Sequence, residues 1–308
     1  MRIRYAAAGI AAIAALGAAA PAMAATVSST PASVRANAFY AARTESAAYQ
    51  QYYAYATAAE SSGQTALADV WRTVGTVEYY DHWMGDTALA GKYQSTDSRT
   101  NLMVAISQAK QTAKADLAFA AAAPKGTNGA AAAKELRAVA AVETADAKLL
   151  QRALVGFVPS APPVHTVSIQ VSAAPHFSGA YYTDLTGGAD SALSDAALNW
   201  GEYQYFARNA VNTGQAKLAQ LLSGLEVQEM NQNWPAISNV AGYVNGNATN
   251  LRSSITSEEG AIQMYTKFAN QAKEAADASA ASMFIEVRDD EEGHHQTFTT
   301  ELQTLTGK

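Results

Sequence analysis

The residues of this sequence best suited to chemistry lie near its C-terminus, where Glu291 and His294 are three positions apart. Residues three apart on a helix lie on the same face, so this Glu-x-x-His pair directs a carboxylate and an imidazole toward one point. Oxygen and imidazole ligands suit iron and manganese. The pair therefore predicts part of a metal site, to which other helices must bring further ligands.

Further carboxylates share helical stripes with aromatic residues. A Glu followed by an aromatic residue seven positions on, and by another three after that, occurs as Glu45, Tyr52, Tyr55 and as Glu258, Tyr265, Phe268. A single Glu on a helix is usually solvated, but aromatic residues at this spacing indicate a buried face. An unpaired buried carboxylate is costly unless it is protonated or partnered. The stripes thus predict inward carboxylate clusters that need cations or shared protons.

The elements that must position these residues are helices. Segments rich in Ala, Gln, Glu, Leu and Lys alternate with turns that contain Gly and Pro, and apolar residues recur three and four apart. The pattern predicts an all-α protein of two tandem antiparallel four-helix bundles, residues 25–157 and 190–308. The Pro-rich stretch 158–189 is predicted to be an irregular connector with one strand-like run at 167–171.

An internal repeat relates the two predicted bundles. Residues 63–83 and 214–234 share Gly, Gln, Leu, Ala, Glu and Trp in register, at an offset of 214 − 63 = 151 positions. Asn101-Leu102 and Asn250-Leu251 open corresponding helices further along. Self-similarity of this kind predicts a tandem duplication.

The order and spacing of these motifs resemble the ferritin-like, rubrerythrin-type superfamily of four-helix bundles. Asn250-Leu251 followed by Ser257-Glu258 is similar to the opening of the third helix of a rubrerythrin, and the run from Glu291 to His294 is similar to that family's Glu-x-x-His. The resemblance implies two iron or manganese ions, held by Glu-x-x-His from two helices and one Glu from each of the other two. It also implies open coordination positions for dioxygen or peroxide.

Carried over within each predicted bundle, the di-iron motifs are degenerate. In the second bundle Glu229, Glu258, Glu291 and His294 match, whereas Ala196 and Gln232 replace a Glu and a His. In the first bundle Glu45, Glu78 and Glu143 match, Asp81 and Asp146 occupy the two His positions, Ala109 replaces a Glu, and His82 is one position out of register. We therefore expect one well-held metal in the second bundle and a harder or weaker-bound cation in the first.

Composition restricts the partners and the chemistry. The chain has 21 basic and 27 acidic residues, a formal charge of −6, which argues against nucleic acid as a partner. It has no cysteine, which excludes disulfides, thiol catalysis and a thiolate-ligated iron centre. Besides a metal ion, the binding partner that we expect is a second copy of the chain, through self-association of bundle faces.

The N-terminus has the pattern of an export signal. Arg2 and Arg4 precede an apolar run at 6–20, and Ala22-Met23-Ala24 resembles a signal-peptidase site. We expect residues 1–24 to be removed and the mature protein, which has no predicted membrane span, to be secreted, periplasmic or held in the cell envelope.

Two functions remain open from the sequence. One is a non-haem metal protein of iron or manganese, with a peroxide-reducing or iron-oxidising enzyme of rubrerythrin type as its catalytic form. The other is a structural or binding module that kept the bundle while the site decayed. The incomplete ligand sets favour the second.

Overall fold

The computed structural model describes residues 30–93, 95–157 and 186–307, and within these ranges the chain forms eight helical rods and no strand. Six rods are continuous: α1 Ala32–Ser61, α3 Ser98–Ala122, α4 Thr127–Val155, α5 Thr186–Asn212, α7 Asn247–Glu274 and α8 Ala278–Thr306. The predicted all-α class is confirmed. The predicted signal at 1–24 and the strand-like run at 167–171 lie outside the described residues.

Two rods, α2 and α6, each contain a π-helical turn. α2 consists of Thr65–Val77, the π turn Glu78–Trp83 and Met84–Leu89, and α6 consists of Ala216–Gln228, the π turn Glu229–Asn233 and Trp234–Ala241. A π turn accommodates an extra residue, so side chains beyond it are displaced by one position around the helix. Such turns are frequent at functional sites.

Local sequence accounts for the ends of several helices. Gly63 and Gly214 close the α1–α2 and α5–α6 turns with positive φ, 79° and 74°, which glycine adopts without steric cost. Asp97 caps α3, because its carboxylate accepts hydrogen bonds from the backbone N–H groups of Arg99 and Thr100 at 3.2 and 3.0 Å. No helix among the described residues is both long and apolar enough to cross a membrane.

Consecutive helices pair as hairpins, but the hairpins do not group in chain order. α1 packs against α2, α5 and α7, α7 packs against α8, and α8 meets α2 through contacts to His82. α3 packs against α4 and α5, and α6 packs against α4 and α5. We call the group α1, α2, α7 and α8 the terminal bundle and the group α3 to α6 the central bundle. The expectation that 25–157 and 190–308 each form their own bundle is therefore corrected. Each half of the chain contributes one helical hairpin to the terminal bundle and one to the central bundle.

Buried hydrogen bonds explain why α1 joins α7. The Tyr52 hydroxyl on α1 donates to Glu258 on α7, and the Tyr265 hydroxyl on α7 contacts Glu45 on α1 at 2.8 Å. The corresponding position of α3 is Ala109, which offers no carboxylate to Tyr52. The two carboxylate stripes recognised in the sequence are thus complementary to each other.

An aromatic layer joins the two bundles. The rings of Tyr49 on α1 and Trp200 on α5 stack with centroids 4.2 Å apart, and Tyr79 stacks on Trp83 at 5.0 Å. Gly201 lies against this layer, because a Cβ built there would come within 3.0 Å of Trp83 Cζ2. The absence of a side chain at Gly201 allows α5 to approach α2 closely.

This contact predicts opposite effects for two Gly→Ala substitutions in helices. Gly260 lies on an exposed face, and a Cβ added there would meet no other atom. Gly260→Ala should therefore raise the free energy of unfolding by about 0.5–1 kcal/mol. Gly201→Ala gains the same helix propensity but forces the buried, stacked Trp83 to move, which costs about 1–3 kcal/mol. Denaturant unfolding of both variants is the measurement. Equal stabilisation by both would contradict the described packing of α5 on α2.

Candidate metal centre

Six potential metal ligands converge inside the terminal bundle. They are Glu45 from α1, Glu78 and His82 from the π turn of α2, Glu258 from α7, and Glu291 and His294 from α8. All are buried except His294, whose side chain is 12% exposed. Their ligand atoms form two groups, each with its atoms within 4.8 Å of one another: Glu45, Glu78, His82, Glu291 and Glu78, Glu258, Glu291, His294.

Glu78 and Glu291 belong to both groups and lie between the two imidazoles. His82 Nδ1 is 2.9 Å from Glu78 Oε2 and 3.4 Å from Glu291 Oε1. His294 Nδ1 is 3.1 Å from Glu78 Oε1 and 3.3 Å from Glu291 Oε2. Each of these carboxylates therefore presents one oxygen to each histidine, while Glu45 and Glu258 lie at the two ends. The arrangement has two adjacent subsites that share two bridging carboxylates.

The π turn explains why His82 belongs to the site. From the sequence, Asp81 was expected in the imidazole position, three residues after Glu78 as in Glu-x-x-His. The extra residue of the π turn moves that position to His82, and Asp81 is exposed to solvent. Glu78 and His82 are four apart, a spacing that also keeps two side chains on one α-helical face. That spacing was the signal for His82.

Hydrogen bonds from outside the six residues fix their orientation. His82 Nε2 lies 3.4 Å from Asp290 Oδ2, which directs Nδ1 inward. The Tyr265 hydroxyl lies 2.8 Å from Glu45 Oε1 and 2.6 Å from Asp86 Oδ2. Burial, together with the charge of Glu45, raises the pKa of Asp86 well above its usual range. The Tyr265 hydroxyl is thus a hydrogen-bond partner shared by Glu45 and Asp86.

The charges inside the bundle compensate one another. Burial opposes a charge on His294, but its contacts with Glu291 and Glu78 raise its pKa to about 9. Burial likewise opposes a charge on His82, and contacts with Glu291, Glu45 and Glu78 outweigh it and raise the pKa. Burial and the neighbouring Glu291 raise the pKa of Glu258 well above its usual range. Protons on these groups and divalent cations are therefore alternative ways to balance the buried carboxylates.

A second, different cluster lies in the central bundle. Glu143 and Asp146 of α4 and Glu229 of the α6 π turn form it, with ligand atoms within 4.8 Å of one another. The residue equivalent to His82 at the 151-position offset is Asn233, since 82 + 151 = 233. The predicted sites are thus rearranged: Glu258, Glu291 and His294 lie with Glu45 and Glu78, whereas Glu229 lies with Glu143 and Asp146.

Residues 249–308 match the Rubrerythrin family. This segment is essentially α7 and α8, the helices that carry Glu258, Glu291 and His294. The fold is of the ferritin-like, rubrerythrin type. The match covers only the last two helices, and the other half of the six-residue site comes from α1 and α2. No curated protein and no solved structure gives a significant match to the chain.

The Tyr265 hydroxyl should contribute more to the free energy of unfolding than a buried tyrosine hydroxyl that has no hydrogen-bond partner. In chelator-treated protein, Tyr265→Phe removes the hydroxyl that contacts both Glu45 and Asp86, and should lower the free energy of unfolding by about 1–3 kcal/mol. Tyr203→Phe is the matched control, because the Tyr203 hydroxyl is buried and makes no hydrogen bond. Thermal and denaturant unfolding would report the difference. Equal losses in the two variants would count against the Asp86–Tyr265–Glu45 chain.

Proposed function

We propose that this chain is a non-haem metal protein that binds two iron or manganese ions in the terminal bundle. The observation that carries the proposal is the pair of overlapping ligand groups that share Glu78 and Glu291. Four carboxylates and two imidazoles are the donor set that bundles of this type use for two such ions. The same set is dispersed over both halves of the sequence, which is why each half taken alone lacks ligands.

The donor atoms lie close enough together to be ligands of common ions. Glu78 Oε1 lies 3.1 Å from His294 Nδ1, Glu291 Oε1 lies 3.4 Å from His82 Nδ1, and both oxygens are buried. Ionised carboxylates and neutral imidazoles at this spacing offer their lone pairs to a shared cation.

The residues of this chain define what such a centre could do. When bound, a pair of iron or manganese ions supplies redox chemistry toward dioxygen or peroxide. Glu45 and Glu258 are held by Tyr265 and Tyr52, and burial of the carboxylates excludes bulk water from the ions. His294 is the most exposed of the six side chains, so small oxidants should enter on its side.

The resulting activity would be iron oxidation or peroxide reduction of the rubrerythrin type. The chain has no cysteine to hold a rubredoxin-type electron donor, so the electrons would come from a separate protein or from a ferrous substrate as it is oxidised. The structural-module alternative rested on incomplete ligand sets in each half. The complete set in the terminal bundle favours metal binding over that alternative.

We also propose that the protein acts outside the cytoplasm. The proposal rests on the basic start, the apolar run at 6–20 and the Ala22-Met23-Ala24 sequence. Protein isolated from its native host should begin at Ala25. Recovery of chains that still begin at Met1 from the soluble fraction of the cytoplasm would overturn this proposal.

Metal content should follow the two classes of ligand. Glu78→Ala and Glu291→Ala remove a ligand from both subsites and should eliminate nearly all iron bound by the terminal bundle, whereas Glu45→Ala and Glu258→Ala should each remove about half of it. Asp81→Ala is the control and should keep the full content, because Asp81 is exposed. Elemental analysis after anaerobic loading with ferrous iron is the measurement, with circular dichroism to verify folding. Iron content that is unchanged in Glu291→Ala would refute the proposed centre.

A further inference from the structure

The central bundle contains a carboxylate cluster that the proposed di-metal centre does not use. Its members Glu143, Asp146 and Glu229 have at most 2% of their surface exposed. Instead of histidines, carboxamides surround them: Asn233 Nδ2 donates to Glu143 Oε1 and to Glu229 Oε2, both at 3.0 Å, and Gln228 Nε2 donates to Asp146 Oδ2 at 2.6 Å. The cluster therefore consists of carboxylates and carboxamides.

Several buried oxygens around this cluster have no hydrogen-bond partner. Glu143 Oε2, Glu229 Oε1 and Asn233 Oδ1 are unpaired, and Asn233 is fully buried. The Tyr203 hydroxyl is also buried and unpaired; burial raises its pKa, and the charges of Glu143 and Glu229 act in the same direction. Unpaired buried oxygens are rare in proteins and call for an unseen partner. Here three side chains that contact one another, Glu143, Glu229 and Asn233, each leave an oxygen unpaired.

The described part of the chain offers these oxygens no cationic side chain. Among the described residues, no salt bridge from lysine, arginine or histidine reaches Glu143, Asp146 or Glu229. Asp116 is also buried with both carboxyl oxygens unpaired, and burial, together with the charge of Glu143, raises its pKa to about 8. In the terminal bundle two imidazoles perform this compensation, and here nothing equivalent is present in the described residues.

We propose that the central bundle binds one hard divalent cation, such as Mn²⁺ or Ca²⁺, through Glu143, Asp146 and Glu229, with the Asn233 carboxamide oxygen as a further ligand. An all-oxygen site favours hard cations over zinc or copper, which prefer nitrogen and sulfur. The amide of Asn233 would rotate by half a turn to present Oδ1, which would place an oxygen where Nδ2 now lies, 3.0 Å from both glutamates. This site is independent of the di-metal centre, with which it shares no residue.

The test uses the full chain carrying Glu291→Ala, which disables the terminal centre. After chelation, the protein is titrated with Mn²⁺ while the electron paramagnetic resonance signal of free Mn²⁺ is followed. One Mn²⁺ per chain should bind. The isosteric changes Glu229→Gln and Glu143→Gln, each added singly, should weaken that binding more than about tenfold. Glu226→Gln is the matched control, because Glu226 also lies on α6 and is held by Gln204 outside the cluster.

Parallel titrations of chains without Glu291→Ala keep the test decisive if that background unfolds. There, Glu229→Gln should lower the Mn²⁺ stoichiometry by one and leave loading of the terminal centre with ferrous iron unchanged. The proposal is overturned if no Mn²⁺ binds in the Glu291→Ala chain when circular dichroism shows it folded. It is also overturned if Glu229→Gln and Glu143→Gln both bind Mn²⁺ as tightly as Glu226→Gln. The same holds if Glu229→Gln does not lower the Mn²⁺ stoichiometry in chains without Glu291→Ala. Loss of iron in the terminal centre bears on that centre alone.

Discussion

The structure depends on how it neutralises carboxylates buried between helices. A carboxylate that leaves water needs a cation, a proton or strong donors, and the cost of leaving it unpaired exceeds what most single contacts contribute. The terminal bundle answers this requirement with His82, His294 and the hydroxyls of Tyr52 and Tyr265. These partners come from α1, α2, α7 and α8, so the same contacts that balance the charge also decide which helices belong together.

The two bundles surround their buried carboxylates with different side chains. The π turns of α2 and α6 occupy equivalent places, but one carries His82 and the other Asn233. An imidazole can take up a proton or bind a metal through nitrogen, whereas a carboxamide stays neutral and offers only an oxygen as a metal ligand. Burial raises the pKa of Glu229 in the central bundle to about 8, with the charge of Asp146 acting in the same direction. Substitution at one helical position thus separates a nitrogen-containing centre from an oxygen-only cluster.

Much of the fold follows from local sequence. The helices, the turns at Gly63 and Gly214 and the Asp97 cap are set by periodicity, backbone freedom and side-chain donors within a few residues. The inward orientation of Glu45 and Glu258 was predictable for the same reason, because both share a stripe with aromatic residues that are buried in the structure.

Two features could not be predicted from local sequence. The identity of the imidazole ligand depended on the π turn, since α-helical spacing from a Glu-x-x-His pattern selected Asp81 and not His82. The grouping of the helices depended on contacts between residues far apart, and helical periodicity is the same whichever partner a stripe meets. The repeat at a constant offset suggested two bundles in chain order, although the complementary stripes of α1 and α7 are the ones that meet.

The packing of α1 and α2 against α7 and α8 restricts the order in which the chain can fold. Tyr265 and Glu45 are 220 positions apart, so the terminal bundle closes a loop that contains the whole central bundle. During synthesis, α1 and α2 must wait with an exposed stripe of carboxylates and aromatic rings until α7 and α8 emerge. The central helices, which are neighbours in sequence, can fold meanwhile. The histidine-containing centre consequently cannot be assembled until α8, which carries His294, has been synthesised.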